Sequence, residues 1–302
     1  MRDYVILSDS CCDLDAALRK KYGIEYIPMR IIFGDTDIPA SLDWEKISPK
    51  EFYDMMRGGV RVRTAQINAD EFKEAFSKYL DEGKDVMYIA CSSALSNSYK
   101  SSLMAHDMLA QERPDGKIVC IDSRNACLGL GMICMTASEL RAEGKSIDET
   151  AQYIEAHKQE VNQFATVESL NYLKRAGRVS TTSAVFGGLL QVKPIIISDA
   201  DGQNVAVEKV KGRKNSLVRL ADLFKETYRS NPHQRICIGH ADAPEAAEEL
   251  KTLVKERMPE EGVEVITAGI GPIIGATTGP GTLAVYCYGK EVTYRASEAQ
   301  NK

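Results

Sequence analysis

Tyr4-Val5-Ile6-Leu7-Ser8-Asp9-Ser10 is the stretch from which the fold can be read. Four apolar residues run together, three small polar residues follow, and a helical pattern occupies 14–22. The same order returns at Val86-Met87-Tyr88-Ile89-Ala90-Cys91-Ser92-Ser93, ahead of a helical pattern at 98–111. It returns again at Ile118-Val119-Cys120-Ile121-Asp122-Ser123, ahead of one at 130–143. A strand with one wet face alternates apolar and polar residues, whereas an unbroken apolar run needs cover on both faces. The three runs therefore predict a parallel sheet flanked by helices. A further helix is expected at 69–82. Gly144 ends the helix before it, and Ser146-Ile-Asp-Glu149 is a capping box that opens another, running to about residue 162.

The second half reads differently. A strand at 164–170 leads into a short helix at 171–175, and 183–190 reads as a packed helix. Apolar runs at 192–197 and 205–209 flank Asp199-Ala-Asp-Gly202, a hairpin signal. Helices are expected at 216–229 and 243–257, strands at 235–239, 263–268 and 282–288. Hairpins mixed with βαβ units predict a mixed sheet. With a boundary near residue 162, the chain divides into an α/β domain with a parallel sheet, 1–162, and a mixed α/β domain, 163–302.

Composition agrees. The chain has 302 residues, 44% hydrophobic and 27% charged, enough for two globular domains. A net charge of −5 argues against nucleic-acid binding. No apolar run approaches the roughly 20 residues of a membrane span. The apolar part of the N-terminal stretch is too short for a signal peptide. Eight cysteines lie scattered without a CxxC pair, which suits a reducing cytoplasm.

Several local motifs dissolve on inspection. Gly144-Lys145-Ser146 resembles the end of a phosphate-binding loop, but Glu139 stands where that loop needs glycine. Gly129-Leu-Gly131 lacks the third glycine of a dinucleotide fingerprint. Asp199 and Asp201 find no completing ligand nearby. His106, His157, His233 and His240 lie apart, so no metal and no cofactor is expected. No GxSxG elbow is present. Ligands in open α/β sheets sit beyond the carboxyl ends of the strands, which makes the Asp and Ser residues there candidates, with helix capping as the alternative. Two stretches remain. Ser92-Ser93-Ala94-Leu95-Ser96-Asn97-Ser98-Tyr99 joins a strand to a helix N-terminus, a natural anion site. Ile270-Gly-Pro-Ile-Ile-Gly275-Ala-Thr-Thr-Gly-Pro-Gly281 reads as a loop shaped for close approach, to a ligand or to the other domain.

These stretches carry a resemblance. Ser8-Asp9-Ser10, Arg63-Thr64-Ala65-Gln66, Ser92 to Tyr99, Val119-Cys-Ile-Asp122-Ser123, Leu173-Lys-Arg-Ala-Gly-Arg178-Val-Ser180, Leu189-Leu-Gln-Val-Lys193-Pro194, and Gly271-Pro-Ile-Ile-Gly275 with Thr278-Gly-Pro-Gly281 are similar, in order, to the motifs of the DegV family. The resemblance implies a two-domain fold holding one long-chain fatty acid between the domains, and no catalysis by the chain itself. It implies that Thr64, Ser96, Asn97 and Thr277 hold the carboxylate, with Arg178 supporting them or facing a partner. That partner would be a separate ATP-dependent fatty acid kinase that makes an acyl phosphate. Two other readings stay open: a serine-dependent hydrolase or transferase using Ser96, and a fatty-acid store or sensor without a kinase.

Three positions depart from the family pattern. Thr64-Ala65-Gln66-Ile67 stands for Thr-Ser-Gln-Pro, Leu95-Ser96-Asn97-Ser98-Tyr99 for Leu-Ser-Gly-Thr-Tyr, and Thr277-Thr278-Gly279-Pro280-Gly281 for His-Thr-Gly-Pro-Gly. The last replaces a group able to carry positive charge with a neutral hydroxyl.

Overall fold

The computed structural model describes residues 2–181 and 192–299. The helix expected at 183–190 lies outside the described residues. In the first half, chain order runs β1 (Tyr4–Asp9), α1 (Ala16–Tyr22), β2 (Ile24–Ile27), β3 (Arg30–Phe33), β4 (Thr36–Pro39) and α2 (Pro49–Arg57). It continues through β5 (Arg63–Ala65), α3 (Ala69–Asp81), β6 (Asp85–Ala90), α4 (Ser98–Glu112), β7 (Ile118–Asp122), α5 (Cys127–Ala142) and α6 (Ile147–His157).

β2, β1, β6 and β7 form a parallel sheet in that order. Every residue of β1 and β6 is buried, as their unbroken apolar runs require. Ser146 and Glu149 cap α6 reciprocally. The helix stops at His157, short of 162. A 3-10 turn at Lys158–Glu160 ends it, and the chain turns extended at Val161. A second, antiparallel sheet, β4-β3-β5, was not legible in the sequence. Its strands span only three or four residues and are half exposed.

The remaining elements are β8 (Val161–Thr166), α7 (Asn171–Ala176), β9 (Ser180–Thr181), β10 (Val192–Ser198), β11 (Asn204–Lys211), α8 (Arg213–Thr227) and β12 (Ile236–His240). After them come α9 (Pro244–Arg257), β13 (Val265–Gly269), α10 (Pro272–Thr278), β14 (Leu283–Tyr288) and α11 (Ala296–Ala299). The mixed sheet has the order β13-β12-β14-β8-β10-β11-β9. One face buries Phe164, Ile195, Leu283 and Val285 under α8 and α9.

α5 packs on the other face and also against the parallel sheet, so it lies between the two. It is buried almost all round, the expected state of a helix without a polar face. Gly129 and Gly131 permit that fit. A Cβ at Gly131 would come within 2.8 Å of the Cys12 carbonyl, and one at Gly129 within 3.0 Å of the Tyr286 ring. The glycine pair serves packing.

The glycine- and proline-rich stretch from 270 to 281, expected as a loop, contains helix α10. Pro272 occupies the first turn, where its missing N–H is no loss, and Gly279 ends the helix at φ 85°. Gly275 is accommodated mid-helix because the Tyr53 ring stands where its side chain would be. The hairpin at Asp199–Gly202 is present. Gly202, at φ 77°, carries its carbonyl to the Ser92 hydroxyl at 2.8 Å, locking the mixed sheet onto the end of β6.

Candidate functional site

The strand-end Asp and Ser residues brace loops. The Asp9 carboxylate accepts from the Cys11 amide (2.9 Å), the Tyr88 hydroxyl (2.9 Å) and the Cys91 amide (3.0 Å). The Ser10 hydroxyl accepts from the Met29 amide at 2.9 Å, and Ser8 donates to the Ile89 carbonyl at 2.8 Å. Asp122 accepts from the Ser93 amide at 3.0 Å and the Ser93 hydroxyl at 2.5 Å. With their polar groups spent on the loops, these ends turn Cys11, Cys91, Ala126 and Cys127 toward a cavity of about 350 Å³.

The opposite wall of that cavity is the mixed sheet, and its pairing explains why space exists there. Ala165 on β8 pairs with Ala284 on one side and Ile196 on the other. Two adjacent alanines leave a hollow that larger side chains would fill. One pleat away, about 6.8 Å along the strands, Tyr286 pairs with Gln163. Val167 lies one pleat the other way. All of these except the intervening outward-facing residues line the cavity. Ile270, Ile273 and Ile274, at and ahead of α10, close a third side.

Away from the rim, no charged side chain among the described residues lines the cavity, and its wall is apolar except at Gln163, Asn204 and Thr282. Burial and the nearby Asp13 carboxyl push the Cys127 thiol well up. The hydrogen bond with Cys91, together with burial, does the same to Cys11. Neutral thiols make a soft apolar wall and are poor nucleophiles. Behind Cys127, burial pushes Asp13 up to about 8. Neither of its carboxyl oxygens has a hydrogen bond of good geometry, although the Cys127 thiol and the Gly271 amide lie close by.

Thr64, Ser96, Asn97, Arg178 and Thr277 all line this cavity, brought together from β5, the start of α4, the turn after α7, and α10. Their hydrogen bonds differ. Thr64 has a hydroxyl with no partner among the described residues. Ser96 donates to the Ser98 hydroxyl at 3.0 Å and accepts from the Ser98 amide at 3.2 Å. Asn97 is exposed and makes no capping bond to α4. Thr277 donates to the Ile273 carbonyl at 3.0 Å, so its free face is an acceptor until the hydroxyl rotates. Arg178 is exposed, and gives Nε to the Leu95 carbonyl at 3.2 Å and Nη1 to the Ala176 carbonyl.

A second cavity of about 210 Å³ adjoins the first and shares Thr64, Arg178 and Thr277 with it. Arg61, Arg63 and Arg175 add three more cations to its wall. Sequence reading missed this cluster: Arg61 lies just ahead of β5, Arg63 opens that strand and Arg175 sits near the end of α7, so no local spacing joins them. It also missed Gln163, Ala165, Ala284 and Tyr286. No histidine lines either cavity among the described residues. No helix among them is long and apolar enough to cross a membrane.

A family model described as "Uncharacterised protein, DegV family" matches residues 3–290. A DegV domain-containing protein of Clostridium perfringens is 38% identical over 96% of this chain and 98% of its own. Among solved structures, a DegV family protein from Thermus thermophilus, described by its fatty acid binding, is 27% identical. It superposes with a TM-score of 0.84 over 96% of this chain and 100% of its own. DegV from Bacillus subtilis, described as a fatty acid binding protein, is 26% identical with a TM-score of 0.78, covering 95% and 100%. A parallel sheet and a mixed sheet around a shared helix, with the motifs in order along the chain, agree with these matches: the chain belongs to the DegV family.

Proposed function

We propose that this protein binds one long-chain fatty acid, with the tail in the cavity between the two sheets and the carboxylate at its polar rim. The observation that carries the reading is the cavity itself: mostly alanines, isoleucines and neutral thiols inside, interrupted by the Gln163 and Asn204 amides, with hydroxyls and one guanidinium at the edge. The fatty acid binding of the relatives from Thermus thermophilus and Bacillus subtilis supports it. Burial of the tail supplies most of the affinity, at about 0.8 kcal/mol per methylene. Thr64, Ser96, Asn97 and Thr277 hold the head group, helped by the N-terminus of α4 and by Arg178. The segments 1–162 and 163–302 act as the two domains that meet around the lipid.

In the fuller form of this reading the protein is not itself a catalyst. It offers the carboxylate to a separate ATP-dependent kinase, and the arginine-lined recess beside the rim receives the incoming phosphates. No observation favours Ser96 as a nucleophile, because its hydroxyl is tied to Ser98 and no base among the described residues bonds to it.

The test is mass spectrometry of lipid released from purified, denatured protein, followed by uptake of labelled palmitic and stearic acids by delipidated protein. A stoichiometric long-chain acid and saturable uptake are expected. Absence of both overturns the reading.

A further inference from the structure

Gln163 is polar at a place where a plain hydrocarbon chain has nothing to offer it. The residue is 7% exposed, and its side chain lines the cavity one pleat from Ala165 and beside Tyr286. Strand alternation would allow an apolar residue here as readily as it does at Ala165 and Val167. Nε2 donates to Oδ1 of Asn204 at 3.0 Å, reaching across β10. Asn204 in turn gives Nδ2 to the Arg178 carbonyl at 3.3 Å. The Asn204 amide is therefore engaged at both ends and fixes the Gln163 carboxamide in one orientation. Among the described residues, Oε1 of Gln163 accepts no hydrogen bond, and the second hydrogen on Nε2 has no acceptor. The acceptor and the second donor therefore face the cavity, where a hydrocarbon chain leaves them unmatched and a ligand with its own polar group can complete them.

Resting on the reading that the cavity takes a fatty acid, we infer that Gln163, positioned by Asn204, is a second polar subsite, selecting an acyl chain that carries an oxygen substituent along its length. A hydroxyl fits best, since it donates to Oε1 and accepts from Nε2–H at once. An oxo group satisfies only the donor. The neighbours along the floor, Ala165, Ala284 and Ile196, offer a hydroxyl nothing, so the position of the substituent matters.

The test uses delipidated protein and a fluorescent fatty-acid displacement assay. The probes are stearic acid and stearic acids bearing one hydroxyl at successive positions. One in-chain isomer is expected to bind about five- to tenfold tighter than stearic acid, and isomers hydroxylated elsewhere more weakly. In Gln163→Leu the order reverses: stearic acid binds at least as tightly as before and the favoured isomer loses its advantage. If stearic acid binds and no hydroxylated isomer matches it, the subsite is refuted while the fatty-acid reading stands, a result that needs no variant. If Gln163→Leu weakens stearic and hydroxystearic acids alike, the amide serves the carboxylate and the inference is wrong. If nothing binds, both readings fall together.

Discussion

Ala165→Leu places three extra carbons on the floor of the cavity. Ala165 is buried, paired with Ala284 and Ile196, and its methyl faces the hollow. If the new carbons take space that the acyl chain would fill, about three methylenes lose their burial. At about 0.8 kcal/mol each that is about 2.4 kcal/mol, or roughly 60-fold in Kd. In a packed core the same insertion would destabilise the fold by about 1–3 kcal/mol. Here the carbons enter a cavity of about 350 Å³, so the ligand-free protein should keep its urea midpoint. The assay is displacement of a fluorescent fatty acid by saturated acids of increasing length. Long acids should weaken most, and the optimum should shorten by about three carbons. An unchanged length profile in a variant that unfolds at the wild-type midpoint would mean that the tail does not lie over β8, and the argument from the alanine pair would be wrong.

Thr64→Val should weaken fatty-acid binding about fivefold without altering stability, since it removes the rim hydroxyl that has no competing partner among the described residues. Titration at equal ionic strength measures it, and an unchanged Kd would move the head group elsewhere. Asp13 gives a pH signature. Its folded pKa of about 8 lies above its unfolded value, so its contribution is fully present below about pH 4 and is lost as pH rises toward 8. The wild-type unfolding free energy from urea titration should therefore fall relative to Asp13→Asn across that window, by up to about 1.4 kcal/mol per pH unit, and a constant difference would contradict the assignment. Gly202→Ala should cost about 2–4 kcal/mol, because its Cβ would press on the Ser92 hydroxyl and lie 2.9 Å from Arg124 Cα at positive φ. In a Ser92→Ala background the cost should shrink, so strictly additive denaturation energies would show that this lock is not where the hairpin is held.

The parallel sheet was legible because burial on both faces writes an unbroken apolar run into each strand, as at Tyr4–Leu7. The mixed sheet was legible in outline from Asp199-Ala-Asp-Gly202 and from strand spacing. The antiparallel sheet was not. Thr36–Pro39 is mostly exposed and has no period to detect. α10 was hidden by its glycines and prolines, whose placement at the helix ends, and at one mid-helix contact with Tyr53, only coordinates reveal. The stretch holding Ser96 and Asn97 was marked by its hydroxyls ahead of a helix, but Thr64 and Arg178 came only from a resemblance, since nothing in local spacing joins Thr64 to Thr277. The floor was silent for a different reason. Alanine in a strand advertises no chemistry, and only the register of three strands shows that Ala165 and Ala284 are neighbours. Gln163, a polar residue in a strand, reads as solvent-facing until the covering layer is known.

The placement of α5 has a consequence for how the molecule comes apart. Its Leu128, Leu130, Ile133 and Cys134 are buried, and the helix meets β1, β2 and β6 on one side and β8, β12 and β14 on the other. Neither sheet can be stripped of the other without wetting a face of this helix, and the free-energy penalty falls on both halves at once. The structural division into two units is therefore not a division into two thermodynamic ones. Unfolding should be a single cooperative event in which α5 is the common element. A ligand bound beside that element, touching Ala126 and Cys127 at its first turn as well as the facing sheet, would raise the melting temperature of the whole chain and not of either part.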